Sequence, residues 1–250
     1  MKLKKNRIEF LNSPIDVLTM QETLEIIENA ISSRELIHHV VVNVAKIVNM
    51  QKDEELRNSV ISGDIINADG QGVVWGAKFL KKKLPERVAG IDLMQNLVKL
   101  AHNKNYKIFF LGAKEEIVSK VVKIYKEKYS ANIIAGYRNG YFTEKEEKNI
   151  VNDIIKSKAD ILFVAISSPK KENFLNKYKN VLRIPFIMGV GGSFDVVSGK
   201  VKRAPRFMQR TGFEWFYRFL QEPRRMWKRN LHANSKFLFL ILKEKFKKKS

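Results

Sequence analysis

Apolar residues recur along this chain with two different spacings, and stretches with each spacing alternate. One stripe at helical spacing consists of Met20, Leu24, Ile27 and Ile31. It follows Thr19 and Glu22, whose separation is typical of a capping box at the start of a helix. Short, largely apolar runs indicate strands buried on both faces, and they lie at 40–42, 65–66, 107–111, 132–135, 161–166 and 185–190.

Helical segments are predicted between most of these strands. They begin near Ala45 and Gln71 and cover 91–102, 115–129, 143–156 and 170–178. Residues 7–11 are predicted to form a short edge strand, and residues 136–140 a loop. Because strand and helix alternate with short connections, the sequence predicts an α/β fold with a Rossmann-like parallel sheet covered by helices.

The composition changes near Lys200, where aromatic residues become interleaved with lysine and arginine. Apolar residues at helical spacing lie within 212–220, and Pro223 is well placed to start another helix. We therefore predict two units, an α/β core over residues 1–201 and a basic, aromatic, helical C-terminal appendage over residues 202–250.

Charge narrows the range of partners. The 250 residues carry a formal net charge of +21, which implies nucleic acid, anionic lipid or a phosphorylated substrate. Residues 200–250 contain 16 lysines and arginines against 3 glutamates, so much of the excess lies in the appendage. The longest apolar run there, 237–242, is far shorter than the ~20 residues that cross a bilayer. We expect a cytoplasmic protein that lies on a membrane surface.

Several classes of site are excluded or disfavoured. The chain has no cysteine, which rules out disulfides and thiolate chemistry. Its four histidines lack the spacing of metal ligands, so no metal site is predicted. There is no complete Gly-x-Gly-x-x-Gly, no Walker A sequence and no Asp-x-Asp pair. No cofactor is predicted, and a metal-bound nucleotide diphosphate is disfavoured.

Candidate ligand-binding residues follow the predicted strands. Asn43, Asp69, Gly112 and Ser168 each stand at a strand end. In a doubly wound sheet, ligands bind beyond the carboxyl ends of the strands, so these residues should share one edge. The turn at Gly112 fits a phosphate-binding helix N-terminus and plain turn chemistry equally well.

The stretch from 66 to 94 carries the strongest chemical signal. Asp69 is followed by Gly70 and Gly72, which free the backbone to approach a ligand, and Arg87 follows a basic tract. An acid and a base in a flexible region predict the reaction centre of an enzyme whose substrate carries phosphate. The alternatives are that Asp69 caps the helix near Gln71 and that Arg87 is a surface residue.

A second glycine pair, Gly191-Gly192, follows the last predicted strand. It could form a tight turn or a backbone nest for an anion, and the sequence does not separate the two.

The order and spacing of several blocks resemble the WecG/TagA/CpsF glycosyltransferases, family 26 of the glycosyltransferases, over nearly the full chain. The matching blocks are Asn43, Asn67 to Val74, Arg87 to Met94, Phe110 to Ala113, Arg138 to Phe142, Ser168 to Glu172, Gly189 to Asp195, Gly199, Arg203 to Pro205, Gly212 to Trp215, Arg218 and Glu222 to Arg225.

The resemblance implies an inverting, metal-independent transfer from a UDP-sugar donor to a polyprenyl-diphosphate-linked acceptor. The best-known members add N-acetylmannosamine, or its uronic acid, to N-acetylglucosamine-diphospho-undecaprenol for teichoic acid, common antigen or capsule. It also implies a peripheral location on the inner face of a bacterial plasma membrane, at an anionic surface. A homo-oligomer is one option for the assembly.

Roles for individual residues follow from the same resemblance. Asp69 matches the proposed general base, and Asn43 and Arg87 match residues that line the active site. The family's basic appendage is thought to close over that site and to contribute arginines. The residues expected to bind substrate are Asn43, Gly70, Gln71, Gly112, Ser168, Lys171, Gly191, Gly192, Arg218, Arg224 and Arg225.

Two departures from the family pattern concern the donor sugar. Val41 stands where many members have threonine, and Lys171 stands where many have glutamine. Losing a hydroxyl and gaining a cation leave open a different donor, such as a UDP-hexuronic acid or UDP-glucose for capsule or exopolysaccharide. The alternative from another functional class is a basic nucleic-acid-binding module. The sequence contains no recognisable nucleic-acid-binding motif, which argues against this alternative.

Overall fold

The computed structural model of the chain describes residues 6–247, without the side chains of Arg210 and of residues 224–231. An antiparallel hairpin pairs β1 (Arg7–Phe10) with β2 (Ser13–Asp16). The main sheet consists of β3 (Ile37–Val42), β4 (Ile65–Ala68), β5 (Ile108–Gly112), β6 (Ile134–Arg138), β7 (Ile161–Ala165) and β8 (Phe186–Gly189). Its order is β4-β3-β8-β7-β5-β6, and every pairing is parallel.

Helices cover both faces of this sheet. They are α1 (Met20–Ser33), α2 (Val44–Met50), α3 (Glu54–Ile61), α4 (Gln71–Phe79), α5 (Gly90–Lys104), α6 (Glu115–Lys128), α7 (Glu147–Lys156), α8 (Lys170–Leu182), α9 (Ser193–Val197), α10 (Arg206–Arg210), α11 (Glu214–Gln221) and α12 (Pro223–Lys247). Short 3₁₀ turns lie at Ala131–Ile133 and Glu144–Glu146.

Successive side chains of a strand point to opposite faces of the sheet and pack in different hydrophobic clusters. Phe110 packs with residues of α1, α5 and α6 on one face, whereas Phe109 and Leu111 pack with residues of α7 and α8 on the other. A third cluster joins the β1–β2 hairpin to α2, α3, α4 and α12. Burial on both faces explains why the central strands are largely apolar.

The predicted α/β class and its alternation of strand and helix are confirmed. The predicted capping box at Thr19 is present, a second capping box lies at Thr143, and a helix does begin at Pro223. No helix in the described part of the chain is both long enough and apolar enough to cross a membrane.

Three local predictions were wrong or incomplete. The predicted short edge strand at 7–11 is present as β1, but its partner β2 was not predicted, and the two form a hairpin separate from the main sheet. The strand predicted at 132–135 lies instead at 134–138, where it takes up part of the predicted loop. Strand β6 is an edge strand with partly exposed residues, so an apolar run does not mark it. The sequence pattern also failed to indicate β2 and α3, whose N-cap is Asp53.

The last helix packs into the core. Ala233, Phe237 and Ile241 form its buried stripe, and the rings of Phe10 and Phe237 lie 6.1 Å apart. Gly76 makes room for them, since a Cβ there would lie 2.7 Å from Ile241 and 3.1 Å from Phe237. The predicted boundary at 201/202 stays a prediction, and these contacts cross it.

Candidate active site

The predicted strand-end residues lie at one edge of the sheet, because all six strands are parallel. From β3 the chain moves outward to β4, while β8 is the other neighbour of β3. Asn43 and Gly191, which follow the paired strands β3 and β8, are therefore neighbours at this edge. Open α/β sheets bind ligands beyond the carboxyl ends of their strands, so this edge is the candidate site.

Asp69 follows β4, and its carboxylate is directed toward the start of α5. It accepts a hydrogen bond from the backbone N–H of Gly90, while its own N–H donates to the carbonyl of Val42 at 2.7 Å. Gly70 holds the N-cap position of α4 with a φ of 119°. A glycine is needed there, and Asp69 is not the capping residue that the simpler alternative required.

The surroundings of Asp69 raise the pKa of its carboxyl. Burial is the largest cause, and the carboxylate of Glu214 acts in the same direction. The pKa is lowered by the positive charges of Arg87 and Lys46 and by the N–H of Gly90, but these effects are smaller than the rise. A half-buried carboxylate with a raised pKa is a stronger base than an exposed one, while it still has access to a ligand.

Arg87 is held inside the site by a residue of the appendage. Its side chain is 14% exposed, and its Nη1 donates to Oε2 of Glu214 at 2.9 Å. Arg203 binds Asp92 at 2.7 Å with two nitrogens, and its Nε lies 3.9 Å from Glu214. Arg87 is thus part of a charge network with Glu214, Arg203 and Asp92 and is not a free surface residue.

Helix α11 brings a second charged residue to the same edge. Arg218 follows Glu214 by one helical turn, so both project from one face of the helix. A Cβ placed on Gly192 would lie 3.4 Å from Nη2 of Arg218, which puts this guanidinium beside the Gly191-Gly192 turn. The side chains of Arg224 and Arg225, also predicted to bind substrate, lie outside the described residues.

A buried charge cluster lies below that turn. Oε1 of Glu172 is 2.7 Å from the ammonium of Lys46 and 3.2 Å from that of Lys171. Lys46 also donates to the carbonyl of Val41 at 2.7 Å. Burial alone would raise the pKa of Glu172, but the two lysines and a hydrogen bond from Ser168 lower it to about 2. The side chains of Lys46 and Lys171 thus share one carboxylate at the strand ends.

Lys171 reaches the glycine turn through close contacts. Its side chain fills the space where Gly189 would have a Cβ, and its Nζ lies 3.6 Å from the corresponding position at Gly191. Burial lowers the pKa of Lys171, whereas the charge of Asp69 is among the influences that raise it. The charge of Asp69, the candidate base, therefore acts on Lys171.

Three other predicted residues have structural contacts. Asn43 caps α2 by accepting the N–H of Lys46 at 3.0 Å. Gln71 packs against Gly212 of the appendage, whose Cβ position lies 2.7 Å from that side chain. A Cβ on Gly112 would lie 2.6 Å from the backbone of Ala165, so close packing explains this glycine. Phosphate binding at Gly112 stays a prediction.

Sequence reasoning missed Lys46, Glu172 and Glu214 as members of this site. Glu172 and Glu214 lie in family-like blocks, but nothing local indicates that they pair with Lys46 and Arg87. Among the residues that the structure describes, no group of three or more histidine, aspartate or glutamate side chains could hold a metal ion.

Comparison with known proteins provides independent evidence on the family of this chain. The model of the glycosyl transferase WecG/TagA/CpsF family matches residues 8–250. The chain is similar to the N-acetylglucosaminyldiphosphoundecaprenol N-acetyl-beta-D-mannosaminyltransferase of Bacillus subtilis, with 37% identity over 199 residues, or 80% of this chain and 76% of the relative. The protein of the same name from Bacillus spizizenii is 39% identical over 182 residues, covering 73% of this chain and 69% of the relative.

Proposed function

Because the chain belongs to the WecG/TagA/CpsF family of glycosyl transferases, we propose that it transfers N-acetylmannosamine from its UDP derivative to N-acetylglucosamine-diphospho-undecaprenol. The chain is a glycosyltransferase, and its two relatives are named for this sugar and this acceptor. The product would serve teichoic acid or related cell-wall synthesis.

Asp69 is the proposed general base. In an inverting transfer, the acceptor hydroxyl attacks the anomeric carbon while the bond from that carbon to UDP breaks. Asp69 takes the hydroxyl proton, and UDP leaves with the bonding electrons. The observation that carries this role is the half-buried carboxylate with a raised pKa, at the carboxyl edge of the sheet beside Arg87.

Protein cations would stabilise the departing diphosphate. Lys171 lies beside Gly191, Arg218 lies beside Gly192, and Arg87 lies near Asp69. Charge-assisted hydrogen bonds from such groups can replace a metal ion at a developing negative charge. We therefore propose a metal-independent reaction.

The donor sugar depends on the chain's own departures at Val41 and Lys171. Lys171 is buried beside Gly191, so an additional cation is available to a donor that reaches this turn. A carboxylate-bearing donor would gain from that cation, and a UDP-hexuronic acid is the alternative that it favours.

The appendage would hold the protein on the inner face of the plasma membrane. Helix α11 directs Glu214 and Arg218 to the site, while Trp215, Phe216 and Leu220 remain exposed. An amphipathic helix with exposed aromatic side chains suits the membrane interface. It would place the site next to a lipid-linked acceptor.

The test is a product assay with purified full-length protein, N-acetylglucosamine-diphospho-undecaprenol and a panel of UDP-sugars. We expect transfer of one N-acetylhexosamine, with an inverted anomeric configuration, and undiminished turnover in EDTA. Transfer only from a UDP-hexuronic acid would select the alternative donor. Strict dependence on Mn²⁺ or Mg²⁺ would contradict the metal-free mechanism. Thermal protection by duplex DNA but not by UDP would contradict the assignment as a whole.

A further inference from the structure

The core itself has an exposed aromatic face on α4. Trp75 is 49% exposed and Phe79 is 46% exposed. They are one helical turn apart and so project from the same side of the helix. The opposite side of α4 is buried in the core through Val73, Gly76 and Ala77. The helix is therefore amphipathic, with aromatic rings on its outer face.

Positive charge accompanies this face. Residues 70–85 contain four lysines and no acidic residue. Lys78, Lys81 and Lys83 are exposed, whereas the ammonium of Lys82 donates to the backbone carbonyl of Glu9. Three lysines are thus free to meet a negatively charged surface beside the two rings.

The appendage extends the same surface on both sides. Gly212 packs on Trp75, since its Cβ position lies 2.9 Å from the indole ring. The ammonium of Lys245 lies 3.5 Å from the centre of the Phe79 ring, and Leu242 and Phe246 near it are exposed. The outer face of α4 is therefore continuous with exposed apolar and basic residues of the appendage.

We propose that Trp75, Phe79, Lys78, Lys81 and Lys83 form a docking surface of the core for an anionic lipid bilayer. Aromatic side chains favour the level of the lipid headgroups, and nearby lysines attract anionic lipid. This surface acts in addition to the exposed residues of α11. Its purpose rests on the proposed function, in which the acceptor is a lipid.

The position of α4 links this surface to the chemistry. The helix begins two residues after Asp69, and an α-helix rises about 1.5 Å per residue. Trp75 therefore lies only about 6 Å along the axis from the start of the helix. A bilayer that meets Trp75 would bring the diphosphate of a lipid-linked acceptor close to Asp69.

The test uses two variants of the full chain. The aromatic variant carries Trp75→Gln and Phe79→Gln. The lysine variant carries Lys78→Gln, Lys81→Gln and Lys83→Gln. The matched control is Ile155→Gln with Val181→Gln, which changes two exposed apolar residues on α7 and α8. Cosedimentation is measured, without UDP-sugar, on vesicles of phosphatidylcholine alone and of phosphatidylcholine with phosphatidylglycerol. Thermal unfolding of each variant checks that it is folded.

Each lysine near an anionic surface contributes a factor of about five to partitioning, so the lysine set should lose at least about tenfold. The aromatic pair should lose binding to a similar extent, and the control should bind as wild type does. Wild-type binding by both α4 variants would overturn the proposal. The proposal would also be overturned if the α4 variants lost binding to duplex DNA but not to vesicles. A change in the oligomeric state of these variants that explains the lost sedimentation would overturn it as well.

A transfer assay with a short-chain, water-soluble acceptor separates this proposal from the proposed function. The aromatic variant should transfer to that acceptor at the wild-type rate and fail only with acceptor in vesicles. If the wild-type protein transfers no sugar but the vesicle results hold, the proposed function fails and the docking surface stands.

Discussion

The carboxylate of Glu214 lies 2.9 Å from the guanidinium of Arg87, and the two residues are 127 positions apart in the chain. This ion pair joins the first turn of α11 to the loop that precedes α5. Both charges act on Asp69: the carboxylate of Glu214 raises the pKa of the Asp69 carboxyl, and the guanidinium of Arg87 lowers it. The appendage therefore contributes to the electrostatics of the candidate base.

Glu214→Gln should move the acidic limb of the pH profile of kcat/KM to lower pH. The substitution removes a charge that raises the pKa of Asp69 and leaves the opposing charge of Arg87 without its partner. Arg87→Gln should move the same limb to higher pH, because it removes a charge that lowers that pKa. Profiles of both variants are compared with Glu116→Gln, an exposed acid on α6. Shifts in the same direction would contradict this arrangement.

Asp69→Asn should bind UDP as the wild type does but transfer sugar roughly 10²–10⁴-fold more slowly, since a general base typically contributes that factor. The measurements are initial rates of product formation and calorimetric titration with UDP. Asp195→Asn, an acid in the short helix after Gly192, provides a comparison. Turnover near the wild-type rate in Asp69→Asn would remove Asp69 as the base.

Phe237→Ala should lower the free energy of unfolding by about 3–5 kcal/mol, the usual cost of truncating a buried phenylalanine. Its ring packs on Phe10 and over Gly76 in the core. Phe239→Ala, at a position 65% exposed on the same helix, should change stability by less than about 0.5 kcal/mol. Urea unfolding measures both, and equal effects would contradict the packing of α12.

The same packing predicts how a truncated chain would behave. Removing residues 202–250 would uncover Phe10 and Gly76 as well as delete the appendage. We expect the remaining core to be less stable, so substitutions are better tests of membrane binding than a deletion.

The protein should lose stability as pH falls from about 6.5 toward 4. Burial lowers the pKa of His39 to about 4, and its Nε2 lies 2.8 Å from Oδ1 of Asn67. Between the ordinary and the lowered pKa the unfolded chain binds a proton that the folded chain does not, so the free energy of unfolding decreases. This loss is on the order of 3 kcal/mol for His39. His38, with a pKa lowered by burial to about 3, adds to it.

Urea unfolding at pH 7.5 and pH 5 checks this expectation. His39→Gln should weaken the dependence on pH, whereas His102→Gln, at an exposed position on α5, should leave it unchanged. An equal pH dependence in the wild type and in His39→Gln would assign the effect to other groups.

Much of the fold follows from local pattern. Apolar runs locate five of the six strands of the main sheet, and the rule that ligands bind at strand ends places Asn43 and Asp69 at one edge from the sequence alone. Strand β6 is displaced from its predicted position because it lies at an edge, where partly exposed residues such as Tyr137 break the apolar run. The order of the strands is not encoded in any local spacing.

The unpredicted part of the site consists of long-range charge pairs. Lys46 and Glu172 meet because α2 and α8 begin at the same edge of the sheet, and Glu214 reaches Arg87 from a later helix. A capping box or a helical stripe can be read within a few residues. The partner of a buried charge depends on the assembled tertiary structure.

The contact between Phe10 and Phe237 also sets an order of events during synthesis. At 5–20 residues per second, a ribosome needs roughly 10–45 seconds to add the residues that separate these two rings. During that interval the hairpin, α2 and α4 lack the helix that covers them, and their apolar surface is open to chaperones or to other nascent chains. If α4 binds the bilayer as we propose, an encounter with the membrane before α12 is made would cover part of the unfinished protein.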